Sequence, residues 1–269
     1  MFQLIAFAVA SFGLAIEAYP RKPDITEIIN GTNVIAGEIP FIVSIQTLWG
    51  HICGGSIYNA KTIITAAHCL GESADRYQIL AGTTNSNDRK HGQLIRVKSY
   101  TIHSGYNSYA NDIALIFLDG SLAYNNYVAP INTPKSSFSG SSAIVAGWGL
   151  TEPWTTDSLM VSGRSKSLQK ALKEATVPIV PLDVCQSYWP FVTGAQLCTG
   201  GTDEITSACN GDSGGPLFSK DSCFNDAGSC GSELLGIVSF GVRGCYSDQH
   251  YPEVYTNVFE YVDWIVNNA

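Results

Sequence analysis

Charge is scarce in this chain: 14% of its 269 residues are Asp, Glu, Lys or Arg, against 45% hydrophobic. Basic residues are scarcer still, 15 against 23 acidic ones, for a net charge of −8, and no Lys/Arg cluster occurs. That argues against nucleic acid or an anionic membrane as a partner. Helical periodicity is nearly missing before the C-terminus, and no internal repeat is evident. Past Ile16 no apolar run is long enough to span a bilayer. The eight cysteines include no C-x-x-C pair and are widely spaced, which argues against zinc, so neither metal nor cofactor is expected.

What the chain does have is 26 glycines and many short apolar or alternating runs between turn signals. Strands are expected at Phe41–Gln46, Thr62–Ala66, Tyr77–Ala81, Leu94–Val97, Ile113–Leu118, Ala143–Ala146, Ala175–Ile179, Pro216–Phe218, Leu234–Phe240 and Val254–Val258. Short strands at turn-rich spacing define an all-β chain, a sandwich or barrels. The tail differs: Asn257 can cap a helix, Glu260 follows three residues on, and Val258, Tyr261, Val262 and Ile265 share a face. The apolar start, residues 1–18, reads as a secretory signal cut after Ala18, and the Pro-rich stretch 19–27 as a linker or propeptide. Secretion makes disulfides the expected state of the cysteines, although eight cysteines allow 105 pairings. Thr155–Lys170 is polar and reads as an exposed loop open to nicking. Asn30-Gly31-Thr32 is a glycosylation sequon.

Three motifs carry chemistry. Thr65-Ala66-Ala67-His68-Cys69 comes first, Asn111-Asp112-Ile113-Ala114-Leu115 second, and Gly211-Asp212-Ser213-Gly214-Gly215-Pro216 third, about 145 residues after His68. A serine hydroxyl is a weak nucleophile until a base lies within hydrogen-bond reach and a third group orients that base. His68 is the candidate base, Asp112 its orienter and Ser213 the nucleophile, in the chain order His…Asp…Ser. The N–H groups of Gly211 and Ser213 would hold the oxyanion. Singly, each motif has a plainer reading: a Gly-flanked serine as a turn, a histidine beside cysteine as a packed side chain, an aspartate before a strand as a backbone acceptor. All three in one order are hard to obtain by accident. His51, His91, His103 and His250 lie in no such context and read as surface or structural. An α/β-hydrolase elbow also fits Gly211–Gly215, but it requires the order Ser…Asp…His.

On these motifs the chain resembles the trypsin/chymotrypsin family of serine proteases from Ile28 to Ala269. Cys53-Gly54-Gly55-Ser56, Ala146-Gly147-Trp148-Gly149, Val177-Pro178-Ile179-Val180, Gly236-Ile237-Val238-Ser239-Phe240-Gly241 and Tyr255-Thr256-Asn257-Val258 extend the likeness. The resemblance implies two antiparallel six-stranded β-barrels, about 28–130 and 131–255, a short helix over 257–268, and an active site in the cleft between barrels. It implies a secreted, monomeric endopeptidase acting on protein or peptide substrates, with tight-binding protein inhibitors as further partners. It implies a zymogen as well: cutting after Glu27 would free the Ile28 amino group to pair with Asp212. Glu27 departs from the family's usual Lys or Arg, so an activating protease of another type is expected. The implied disulfides are Cys53–Cys69, Cys185–Cys198 and Cys209–Cys245, leaving Cys223–Cys230 as a local clip outside the family's usual set. The loop Gly82–Gly92, where some relatives bind calcium, has one carboxylate and is expected to hold no ion.

The primary pocket is where the resemblance leaves alternatives open. Ser207 would form its floor, which implies a chymotrypsin-like or broadened preference. Ser239 and Gly241 would pair with the substrate backbone, and Phe240 would supply an apolar wall. Glu253 stands where the family has glycine. It could attract Lys or Arg, shrink the pocket, or pair with Arg243 and leave the pocket neutral. A catalytically inactive homologue acting as a binding protein is the alternative to an enzyme, although the chain keeps His68, Asp112, Ser213, Gly211 and Asp212.

Overall fold

The computed structural model describes residues 31–149, 170–200, 208, 211–219, 231–242 and 251–269. Ile28, Ser207, Cys209, Cys223, Cys230, Arg243, Cys245, His250 and the loop 155–169 lie outside these residues.

Six strands close the first barrel. They are β2 (Ile42–Thr47), β3 (Gly50–Asn59), β4 (Thr62–Thr65), β5 (Gln78–Ala81), β6 (Gln93–Ile102) and β7 (Ala114–Leu118), in the spatial order β2-β3-β4-β7-β6-β5. Alternate side chains point inward, and Ile45, Ile57, Ile63, Ile79 and Leu115 are wholly buried there. Closure leaves no sheet edge with unpaired backbone groups. The second barrel is β8 (Ser142–Gly147), β9 (Lys173–Val180), β10 (Gln196–Thr199), β11 (Pro216–Phe218), β12 (Leu234–Phe240) and β13 (Glu253–Asn257). Its ring runs β9-β10-β13-β12-β11-β8 and closes through the antiparallel β8–β9 pairing. A two-residue strand, β1 (Thr32–Asn33), lies in the span expected for the first barrel yet pairs with β9 of the second.

Two short helices complete the described fold. α1 (Leu182–Tyr188) follows Pro181, and its buried Cys185 is bonded to Cys198 on β10. A 3₁₀ turn at Val258–Tyr261 leads into α2 (Val262–Asn268). Asn257 makes no side-chain cap here; its amide donates to the Gly194 carbonyl at 2.9 Å. The tail packs back on the first barrel, where Tyr261 and Trp264 stack against His103 at 5.5 and 5.2 Å between ring centroids. The barrels meet through one continuous apolar core, with Phe41 edge-on to Phe218 at 5.0 Å.

Candidate active site

The His68–Asp112 pair is built by the first barrel. β4 ends at Thr65, and a 3₁₀ turn over Ala67–Cys69 swings His68 out at the barrel end while Ala67 and Cys69 stay buried. The Cys53–Cys69 disulfide, Cα to Cα 6.2 Å, fastens that turn to β3. Asp112 lies just ahead of β7 and is 2% exposed. Its neighbour Asn111 has φ +56°, in the left-handed region, and is held there by two side-chain bonds. Asn111 donates to the Gly105 carbonyl at 2.8 Å and accepts from the Tyr261 hydroxyl at 3.0 Å. The C-terminal segment thereby supports the turn that aims Asp112.

Asp112 accepts from the His68 backbone N–H at 3.0 Å, His68 Nδ1 at 2.7 Å and the Ser239 hydroxyl at 2.5 Å. Its own backbone carbonyl accepts from Thr256 at 2.8 Å. A carboxylate can only accept, so Nδ1 must carry the imidazole proton and Nε2 is left with a lone pair. The His68 side chain is 30% exposed, so that lone pair is reachable from the cleft. The Ser239 side chain thus holds the carboxylate that holds the His68 ring, a contact separate from the substrate-backbone pairing expected of this residue.

The Ser213 turn faces this pair from the second barrel. Its backbone is clamped to both barrels: the Ser213 carbonyl accepts from Gly54 N–H at 2.8 Å, and Gly214 N–H donates to Val238 at 2.8 Å. Gly214 has φ +76°, and a Cβ there would overlap Thr65 Oγ1 and crowd the Cys69 sulfur, so only glycine brings the turn this close to the His68 segment. No hydrogen bond joins the Ser213 hydroxyl to His68 among the described residues. Asp212, wholly buried, accepts from Gly149 N–H at 2.8 Å. Its expected partner Ile28 lies outside the described residues.

Of the surface or structural roles expected for His51, it has the structural one. It is buried under the turn that begins at Gly211, where Nε2 donates to the Gly211 carbonyl at 2.8 Å. The Ser44 hydroxyl then donates to Nδ1, also at 2.8 Å, and Trp148 lies edge-on at 5.5 Å. Burial pushes the imidazole down from 6.5 to about 4, so it is neutral at physiological pH. No local pattern marks it, because Ser44 and Gly211 reach it through strand pairing and barrel closure. His91 instead is exposed and pairs with Asp88 at 2.9 Å.

Two residues expected at the primary pocket, Phe240 and Glu253, have aromatic and acidic neighbours. Phe240 packs with Tyr109, Trp189 and Phe191 at centroid distances of 5.6, 5.6 and 5.8 Å. Sequence reading named Phe240 alone, because its partners come from separate loops. Glu253 lies across from Gly241, where any Cβ would overlap both carboxyl oxygens. Burial first, and the nearby Asp212 second, push its carboxyl from 4.5 up to about 8.

Among the described residues, one cluster has metal-ligand spacing: Cys53, His68 and Cys69. Both sulfurs are spent in the disulfide, so no thiolate is left to ligate. No described helix is long and apolar enough to cross a membrane.

Two facing barrels, an oriented imidazole and a glycine-clamped serine turn define the serine endopeptidase class of hydrolase. The chain belongs to the trypsin family: the Trypsin family model matches residues 28–265. It is similar to Trypsin-1 of Astacus astacus, 36% identical over 256 residues, covering 90% of this chain and 100% of that protein. Trypsin beta of Drosophila erecta is 35% identical over 250 residues, covering 90% of this chain and 88% of the relative. The fibrinolytic enzyme isozyme C of Lumbricus rubellus is 30% identical over 262 residues, at 90% and 100% coverage.

Proposed function

We propose that this chain is a secreted zymogen that, once cut after Glu27, hydrolyses peptide bonds through an acyl-enzyme on Ser213. The observation that carries the reading is the 2.7 Å His68–Asp112 contact, which fixes the tautomer and leaves Nε2 basic toward the cleft. Ser213 Oγ attacks the scissile carbonyl as His68 Nε2 takes its proton. The Gly211 and Ser213 N–H groups receive the oxyanion, and His51 supports that turn by holding the Gly211 carbonyl. His68 then protonates the leaving amine, and water, activated by the same imidazole, releases the acyl group. The Ser213–His68 bond forms when substrate fills the site, since catalytic hydrogen bonds often tighten only in the substrate complex.

Activation is the pairing of Ile28 with Asp212. A buried carboxylate without its cation loses about 3–5 kcal/mol, enough to disorder the oxyanion turn of the uncut chain. Ser207, Phe240 and Glu253 line the primary pocket, with Ser239 and Gly241 offering backbone to the substrate. The preference is chymotrypsin-like or broadened.

Fluorophosphonate labelling tests the reading. The activated chain, beginning at Ile28, takes up one label on Ser213, and Ser213→Ala loses both label and about 10⁶-fold in kcat. An activated chain that takes no label is a binding protein, and the proposal falls.

A further inference from the structure

Resting on the endopeptidase reading, we propose that the tip of the β2–β3 hairpin, Leu48 and Trp49, is a docking site for the part of a protein substrate that follows the cut bond. It favours a large apolar residue followed by a lysine or arginine.

The fold gives this tip no reason to be apolar. β2 ends at Thr47 and β3 begins at Gly50, and the two residues pair across the loop. Gly50 takes the positive φ, +108°, and the Trp49 N–H donates to Thr47 Oγ1 at 3.2 Å, so the turn closes without either side chain between them. Such loop positions ordinarily carry polar residues. Leu48 and Trp49 nevertheless stand there 88% and 95% exposed. Adjoining apolar side chains that bury so little at home mark a contact surface. They border a groove of about 370 Å³, whose opposite wall includes Glu72, Asp75 and Arg76. That volume suits a large side chain and its neighbour.

The clamp on the Ser213 turn gives the direction. Gly54 on β3 bonds the Ser213 carbonyl, and Val238 on β12 accepts from Gly214, so the turn lies between these two strands. With Ser239 and Gly241 offering backbone upstream of the cut bond, an extended substrate leaves on the β3 side. There the walls of the groove continue from two turns at the cleft. Trp49 lies two residues before His51, which holds the Gly211 carbonyl, and Glu72 lies four residues after His68. At about 3.3 Å per residue the tip is on the order of 7 Å beyond His51, a span that an extended peptide crosses in two or three residues. Charge selects the neighbour. Arg76 is paired with Glu72 at 3.1 Å, whereas Asp75 is exposed and has no ion pair among the described residues. Arg89 lies outside the groove lining, bonded to Gln46 at 3.0 Å. The groove thus sets an apolar wall beside a net negative charge, which fits an apolar residue next to a cationic one. A second copy of this chain, at net −8, would meet like charge there.

The test uses quenched fluorescent peptides with phenylalanine at the cut position and either leucine–lysine or serine–serine as the second and third residues beyond it. A phenylalanine nitroanilide, with no residue beyond the cut, is the control. In the activated protein kcat/KM for the leucine–lysine peptide should exceed that for serine–serine by ~10-fold or more. In Trp49→Asn, a residue the turn favours, the two peptides should fall within ~2-fold of each other, with nitroanilide cleavage unchanged. Asp75→Asn should remove only the preference for lysine over norleucine at the third position, by ~3-fold. Equal rates for the two peptides in the unsubstituted protein, or a ratio that Trp49→Asn leaves in place, overturns the proposal. So does a dimer, seen by sedimentation, that Trp49→Asn dissolves, because a second copy would then own the tip. Loss of nitroanilide cleavage and of fluorophosphonate labelling would sink the endopeptidase reading by itself. Calorimetric binding of the same two peptides, tighter for leucine–lysine only while Trp49 is present, would still decide the role of the tip.

Discussion

Asp112 and Glu253 are both carboxyl groups enclosed by protein, one on each side of the cleft, and their surroundings are opposite. Asp112 receives the His68 backbone, the His68 ring and Ser239. Glu253 receives no hydrogen bond among the described residues and sits near another carboxylate. Both lie at strand ends flanking the same serine turn, so burial alone does not distinguish them. Donors do: three of them hold the Asp112 charge, whereas among the described residues Glu253 has burial and Asp212, which favour the neutral carboxyl. The first barrel therefore holds a carboxylate by its donors, and the second holds a carboxyl that burial keeps protonated.

The strongest way to break this contrast is Asp112→Asn. The amide keeps the shape but can offer N–H where Nδ1–H stood, favouring the wrong tautomer, so kcat should fall about 10⁴-fold with little change in KM. Steady-state kinetics on any cleaved peptide checks it.

Glu253→Gln should act with the opposite sign on stability. The folded carboxyl sits at about 8 against 4.5 unfolded, so folding binds a proton over that interval. Stability contributed by the protonated form is full below pH 4.5 and lost as pH rises through about 8. At about 1.4 kcal/mol per tenfold, the native chain should lose on the order of 4 kcal/mol across that range relative to the Gln variant. Urea unfolding at both ends of the range measures it; parallel curves would show Glu253 to be solvated after all.

His51 tests the same idea from the basic side. Its folded value of about 4 lies below 6.5, so its contribution is full above pH 6.5 and lost as pH falls through about 4. The loss is about 3 kcal/mol, and it should vanish in His51→Gln. An unfolding midpoint in that variant that shifts with acid as the native one does would contradict it.

The Arg96–Asp119 pair marks the floor of the scale. Its side chains are 75% and 53% exposed at 3.3 Å, so Asp119→Asn should change stability by less than about 0.5 kcal/mol in the same assay.

Strand periodicity made most of the fold legible. Pro216–Phe218 and Leu234–Phe240 match the observed elements end to end, and the other expected strands overlap theirs. β3 escaped notice because its glycines weaken the strand signal. Gly54 is there for a tertiary reason: a Cβ would meet the backbone of Gly215 at 2.7 Å. β10 is four residues long, and α1 makes less than two turns and is tied to β10 by a disulfide, so neither carries a local pattern of its own. Asn257 makes no cap; its amide is turned to the Gly194 carbonyl across a loop.

By itself, the order of residues determined which side chains could do chemistry: a histidine, an aspartate and a glycine-flanked serine, on a chain whose alternation favours sheets. Tertiary structure alone decided how each is held. Ser239 meets Asp112 across 127 residues and His51 meets Gly211 across 160, contacts that exist only once the barrels close. Side-chain patterns report neighbours a few residues apart, whereas hydrogen-bond partners, and with them the protonation of His51 and Glu253, depend on groups brought together by strand register.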